Sequence, residues 1–182
     1  MLDLALHILD IAQNSTRARA GAVVVTVEED TERDLLSLEI RDDGIGMTEA
    51  ELTRALDPFY TTKKVRRVGL GLPMLKDAAE RTGGGLEIKS SAGKGTRVSV
   101  TFGLSHIDRQ PIGDIGLSLV TLIAGNPEVD FVYIRRRDGR EFRFDTRDVK
   151  RELEDIPIYR VEVLSFIRTH IDQGTKEIDA SA

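Results

Sequence analysis

An α/β fold is predicted by three features of this 182-residue chain. Residues 2 to 18 follow a helical period, four later segments alternate apolar and polar residues as strands do, and the rhythm changes again after Phe102. The composition, 40% hydrophobic and 31% charged, suits a folded chain with a sizeable core. The expected division is a first unit over 1–104 and a small αβ C-terminal extension over 105–182.

The first helix carries the most information. At 100° per residue, Asp3, His7, Asp10, Asn14 and Arg17 fall within a stripe about 80° wide. Leu4, Ala5, Leu6, Ile8, Leu9, Ile11 and Ala12 supply the rest of the surface. The helix therefore reads as mostly buried, with a narrow polar seam that is either directed at a site or simply solvated. Gly21 breaks the period, and Val23 to Glu29 and Leu35 to Arg41 read as strands. Thr48-Glu49-Ala50-Glu51 is a capping box that starts a short helix ending before Pro58. Asp57 to Val68 is polar, basic and non-periodic, as a mobile loop would be. Gly69-Leu70-Gly71-Leu72 leads into another helix, with Pro73 in its first turn and Gly83 at its end. Leu86 to Ser90 and Arg97 to Phe102 are further strands.

In the extension, Pro111 is expected to start an apolar helix ending at Gly125. A hairpin follows, Val129 to Ile134 and Glu141 to Phe144, turning at Asp138-Gly139. A last helix, Arg160 to Gln173, places Val161, Leu164, Ile167 and Ile171 on one face. The run Arg135-Arg136-Arg137 reads as the solvated end of the hairpin rather than a partner patch.

Several function classes are disfavoured. With no cysteine there is no disulfide, thiolate metal site or cysteine nucleophile. The net charge of −5 argues against nucleic-acid binding. No apolar run approaches the roughly 20 residues of a membrane span, and Met1 to Asp10 carries two acids and no Lys or Arg, unlike a signal peptide. A cytoplasmic protein with no membrane partner is the expectation.

Four segments fit one nucleotide site. A triphosphate needs backbone N–H donors, a metal ion and a cation, while adenine needs an acceptor for its exocyclic amine. Gly69, Leu70, Gly71 and Leu72, at a helix N-terminus, can offer N–H groups to phosphate. Asn14 offers a neutral oxygen to Mg²⁺, and Arg17, one turn along, can reach phosphate. Asp42, held at a strand end by Gly44 and Gly46, is a short carboxylate suited to accept an amine.

In that order the motifs resemble the ATP-binding domain of sensor histidine kinases and the wider GHKL superfamily. Asp10 to Ser15 resembles the N box, Asp42-Asp43-Gly44-Ile45-Gly46 the first glycine box, and Asp57 to Lys63 the F box of the ATP lid. Gly69 to Leu72 resembles the second glycine box, and Gly95-Thr96 the last. The resemblance covers residues 1 to about 103. It implies a two-layer sandwich of mixed sheet and helices, with ATP between the N-box helix and the lid. It also implies Asn14 as magnesium ligand, Asp42 as adenine anchor, Thr96 near the base and Lys63 as the F-box contact to phosphate.

The departures bear on activity. Histidine kinases present a phosphoacceptor histidine well before the N box, and here the N box begins almost at Met1, so autophosphorylation by that route is not expected. His7, His106 and His170 read as structural or exposed. Asp10 stands where hydrolytic members of the superfamily keep a carboxylate general base and many histidine kinases have asparagine. It either acts as that base or only orders water. The short basic loop with Lys63, Lys64, Arg66 and Arg67 either grips phosphate or is solvated. The expected function is magnesium-dependent ATP binding with phosphoryl transfer to a partner protein, a phosphoacceptor or a regulated enzyme. An ATPase switch and a non-catalytic nucleotide-sensing module are the alternatives; ATP and ADP are the expected nucleotides, and a homodimer is compatible with each reading.

Overall fold

The computed structural model describes residues 3–55 and 71–180. Six strands form one sheet in the order β3-β4-β2-β1-β5-β6: β1 (Ala22–Asp30), β2 (Leu35–Asp42), β3 (Gly85–Ser90), β4 (Thr96–Gly103), β5 (Asp130–Arg137) and β6 (Arg140–Asp145). Only β1 and β5 run parallel, so the sheet is mixed. Helices are α1 (Leu4–Arg17), α2 (Glu49–Ala55), α3 (Gly71–Glu80), α4 (Ile115–Gly125), α5 (Thr146–Leu153) and α6 (Val161–Ala180). This is the expected α/β sandwich.

The period of two in each strand decides which sheet face meets the helices. Val25, Ile40 and Val98 form one cross-strand row, and Val27, Leu38 and Val100 the next. All six are buried, packed with Ile8, Ile11, Ala12, Leu75 and Leu119 from the helices. On the other face the matching rows are polar, for example Thr26, Glu39, Ser99 and Glu87. The hairpin β5–β6 adds to the free edge of β1, so the C-terminal segment extends the same sheet.

Local chemistry sets the element ends. Asp3 caps α1, its Oδ1 accepting from Leu6 N–H at 2.9 Å. The capping box at α2 forms as expected: Thr48 N–H donates to Glu51 Oε2 at 2.8 Å and Glu51 N–H to Thr48 Oγ1 at 3.3 Å. Pro73 lies in the first turn of α3, and Gly83, with φ of 78°, follows its end.

Three expectations are corrected. Pro111 does not start α4; Asp114 caps it, accepting from Leu117 N–H at 2.7 Å, and the helix begins at Ile115. The carbonyls of Pro111 and Ile112 are used elsewhere, accepting from Leu4 N–H at 3.0 Å and Ala5 N–H at 2.8 Å. Two open donors at the α1 N-terminus are thereby satisfied by the extension. Val161 does not share the buried face of α6: it is 78% exposed, while Ile167, Ile171, Gly174 and Ile178 are buried.

The third correction concerns the arginine run, of which only Arg136 is solvated. Arg135 is 1% exposed, because β5 lies inside the sheet and α6 covers it. Its Nη2 reaches Asp179 Oδ1 at 2.6 Å and Glu29 Oε1 at 3.1 Å. Arg137 lies 3.5 Å from the same Glu29. Arg136 is the outward member, paired with Glu141 at 2.7 Å. Three sequence-distant segments, β1, β5 and the end of α6, are thus tied by one ionic cluster centred on the buried Arg135 and Glu29.

Candidate functional site

A cavity of about 370 Å³ opens between α1, the ends of β2 and β4, and the start of α3. That volume lies in the range of small-molecule sites. Its walls are largely apolar, with Ile11 from α1, Ile40 and Val98 from the sheet, Ile88 from β3, and Ile45 and Met47 from the segment after β2. Such a slot suits a flat heteroaromatic ring.

The polar floor is built around Asp42, the last residue of β2. Its Oδ1 accepts from Gly44 N–H at 2.9 Å and Thr96 N–H at 3.2 Å, and its Oδ2 accepts from Ser15 Oγ–H at 2.6 Å. Three donors from three segments hold the carboxylate in one orientation. Neighbouring Asp43 does different work, its Oδ1 accepting from Gly21 and Ala22 N–H at 2.7 and 2.9 Å and fixing the start of β1. Thr96 Oγ1 lies 2.9 Å from Ser90 Oγ, which also donates to Gly95 O and accepts from Met47 N–H.

Gly46 has φ of 66°, and a Cβ there would overlap the Ser91 carbonyl, so only glycine lets this turn lie on the β3–β4 turn. Gly44 is buried under the end of α1, where its N–H serves Asp42.

The structure divides the polar seam of α1. Asp3 and His7 lie against the extension: Asp3 packs on Gly113, and His7 is buried, which lowers its imidazole pKa and favours the neutral ring. Asp10, Asn14 and Arg17 instead line the cavity. Arg17 Nη1 donates to Asn14 Oδ1 at 3.2 Å. The carboxylate of Asp10 presses against Gly71 at the start of α3, where a Cβ would overlap it. Gly71 thus permits the base candidate and the helix N-terminus to share one end of the cavity.

Of the residues singled out from sequence, Asp10, Asn14, Arg17, Asp42, Gly46, Gly71, Leu72 and Thr96 line the one cavity. Lys63, Gly69, Leu70 and the lid segment Asp57 to Val68 lie outside the described residues. His106 and His170 are exposed. Sequence reasoning missed Ser15 as a partner of Asp42, because its contact is 27 positions away. It missed the apolar walls as well, which the strand period does not separate from ordinary core.

A sequence profile described as "Histidine kinase-, DNA gyrase B-, and HSP90-like ATPase" matches residues 2–106. Sporulation kinase E of Bacillus subtilis (strain 168) is 40% identical over 82 residues, covering 45% of this chain and 11% of that protein. Sensor histidine kinase WalK of the same strain is 32% identical over 95 residues, covering 50% of this chain and 15% of that protein. The chain therefore spans a small part of each relative's length. Among solved structures, one described as the N-terminal domain of a DNA repair protein superposes with a TM-score of 0.54. It shares 15% identity and covers 79% of this chain and 52% of that one, a likeness of fold alone.

Proposed function

The chain belongs to the family of histidine kinase-, DNA gyrase B-, and HSP90-like ATPases, and from that premise we propose that it binds ATP with Mg²⁺ and passes the γ-phosphoryl group to a partner protein. The supporting observation is the cavity itself, which places a firmly held carboxylate at one end and Asp10, Asn14 and the α3 N-terminus at the other. In this reading residues 1–104 hold the nucleotide, and 105–182 is an extension that secures α1 and widens the sheet.

The residues present fit the proposed ligands. Asp42 accepts the adenine amine at Oδ2, a charge-assisted bond in an apolar slot. Backbone N–H groups at the start of α3 face the phosphates, where the helix end carries partial positive charge. Asn14 would hold the magnesium ion, which when bound neutralises charge on the phosphate oxygens. Arg17 releases the Asn14 oxygen and turns to phosphate. Asp10 takes the proton of the attacking hydroxyl, one helical turn from Asn14 and facing the same way.

Asn14→Ala is expected to weaken the magnesium-dependent part of ATP binding and leave the magnesium-free part unchanged. Calorimetric titration with and without Mg²⁺ checks this, and equal ATP affinity of wild type and variant in magnesium contradicts the role. Transfer is tested by incubating the chain with γ-labelled ATP, with and without cell extract. A labelled partner band supports the kinase reading; free phosphate alone points to an ATPase, and no turnover to a sensing module.

A further inference from the structure

The sheet ends in two outer strands, β3 and β6. Near β3 lie α2 and the segment after β2, which bonds to the last residue of that strand and to the turn that follows it. There Met47 N–H donates to Ser90 Oγ at 2.8 Å, and Gly93 N–H to Ile45 O at 2.7 Å. Among the described residues nothing pairs with the outer side of β6. We propose that β6 is a homodimer interface, where a second copy of this chain pairs antiparallel through the same strand, the five residues Arg140–Phe144 facing the same five of the second copy.

The backbone supplies the first part of the case. Asp138 and Gly139 turn the hairpin with φ of 47° and 80°, the two-residue type in which the flanking Arg137 and Arg140 are a hydrogen-bonded pair. Hydrogen-bonded and non-hydrogen-bonded pairs alternate along an antiparallel ladder. Glu141 and Arg143 are therefore non-bonded positions toward β5, and their N–H and C=O groups point outward. A strand presenting such groups is a template for another strand. β6 carries no proline to block it.

The side chains then select one register. With Glu141 opposite the partner subunit's Arg143, both outward pairs are hydrogen-bonded and oppositely charged. A slip of two residues places Glu141 against Glu141 in one direction and Arg143 against Arg143 in the other, and like charges directly opposite are unfavourable. Glu141 and Arg143 are both exposed. Their present partners, Arg136 and Asp145, leave a second carboxylate oxygen and further guanidinium donors to share. In the favoured register Phe142 sits on the two-fold axis and meets its own copy as a non-bonded pair, the closer-spaced kind.

An aromatic ridge lies alongside. Phe166 of α6 is 64% exposed, and its ring stacks on His170 at 6.2 Å, with His170 in turn 5.5 Å from Phe142. Aromatic side chains at the centre of a patch, flanked by charges that fix register, are features of specific interfaces.

Sedimentation analysis of the full chain over a broad concentration series tests the proposal. Wild type is expected to form a dimer. Glu141→Arg and Arg143→Glu should each weaken it by about tenfold or more, and the combined variant E141R/R143E, which restores opposite charges, should recover it. Phe166→Ser, at an exposed position, should weaken it without touching the strand. Circular dichroism and thermal unfolding establish that each variant is folded. A wild type that stays monomeric throughout overturns the proposal, and so does a dimer indifferent to both single charge reversals, since the copies would then meet elsewhere.

Discussion

Asp10→Asn is expected to lower kcat by about 10²–10⁴ while leaving nucleotide affinity little changed. The carboxylate sits one turn before Asn14 and presses on the glycine that opens α3, so it borders the place where the γ-phosphate would lie. Asparagine keeps the size of the group and its contact with Gly71 but cannot take up a proton. A base acts mainly in the transition state, so the loss should fall on turnover rather than on binding. The measurement is single-turnover transfer from γ-labelled ATP to whichever acceptor the extract assay reveals. Turnover equal to wild type removes Asp10 from the chemistry and leaves it an orderer of water.

A second large effect is expected far from the cavity. Arg135→Ala leaves Glu29, itself 7% exposed, without its main counter-charge and removes the tie between β5 and Asp179. Breaking a buried ion pair from one side typically costs about 3–5 kcal/mol, because the remaining charge is stranded. Arg137, at 3.5 Å from Glu29, offsets part of that loss. Equilibrium denaturation in urea measures it, and a change below about 1 kcal/mol would mean that water or rearrangement already compensates Glu29.

The contrast between these two residues shows what a sequence discloses. Asp10, Asn14 and Arg17 were legible together because a helix repeats every 3.6 residues, so spacing alone puts them on one side. Asp42 and Thr96 were legible through short glycine motifs whose geometry is local. Arg135 was not, since its partners lie on a strand about a hundred positions earlier and near the end of α6, and only the parallel β1–β5 pairing and the packing of α6 on β5 unite them. Three consecutive arginines look like a solvated run until the fold buries the first. Ser15 escaped for the same reason: its neighbours in sequence give no hint of a carboxylate at the end of β2. The start of α4 was misplaced because Pro111 is a good first helical residue, whereas Asp114, a better cap, lies three positions on.

The adenine end of the cavity carries the central claim, and comparison of ATP with ITP by titration calorimetry in magnesium tests it most directly. ITP lacks the exocyclic amine that Asp42 is held to receive. A charge-assisted hydrogen bond in this setting is worth about 1–3 kcal/mol, so wild type should bind ATP tighter than ITP by about 5- to 150-fold. Asp42→Asn should remove most of that preference while circular dichroism shows an intact fold. ATP and ITP binding equally well to wild type, or no ATP binding at all, would contradict the assignment of this cavity as an adenine-nucleotide site.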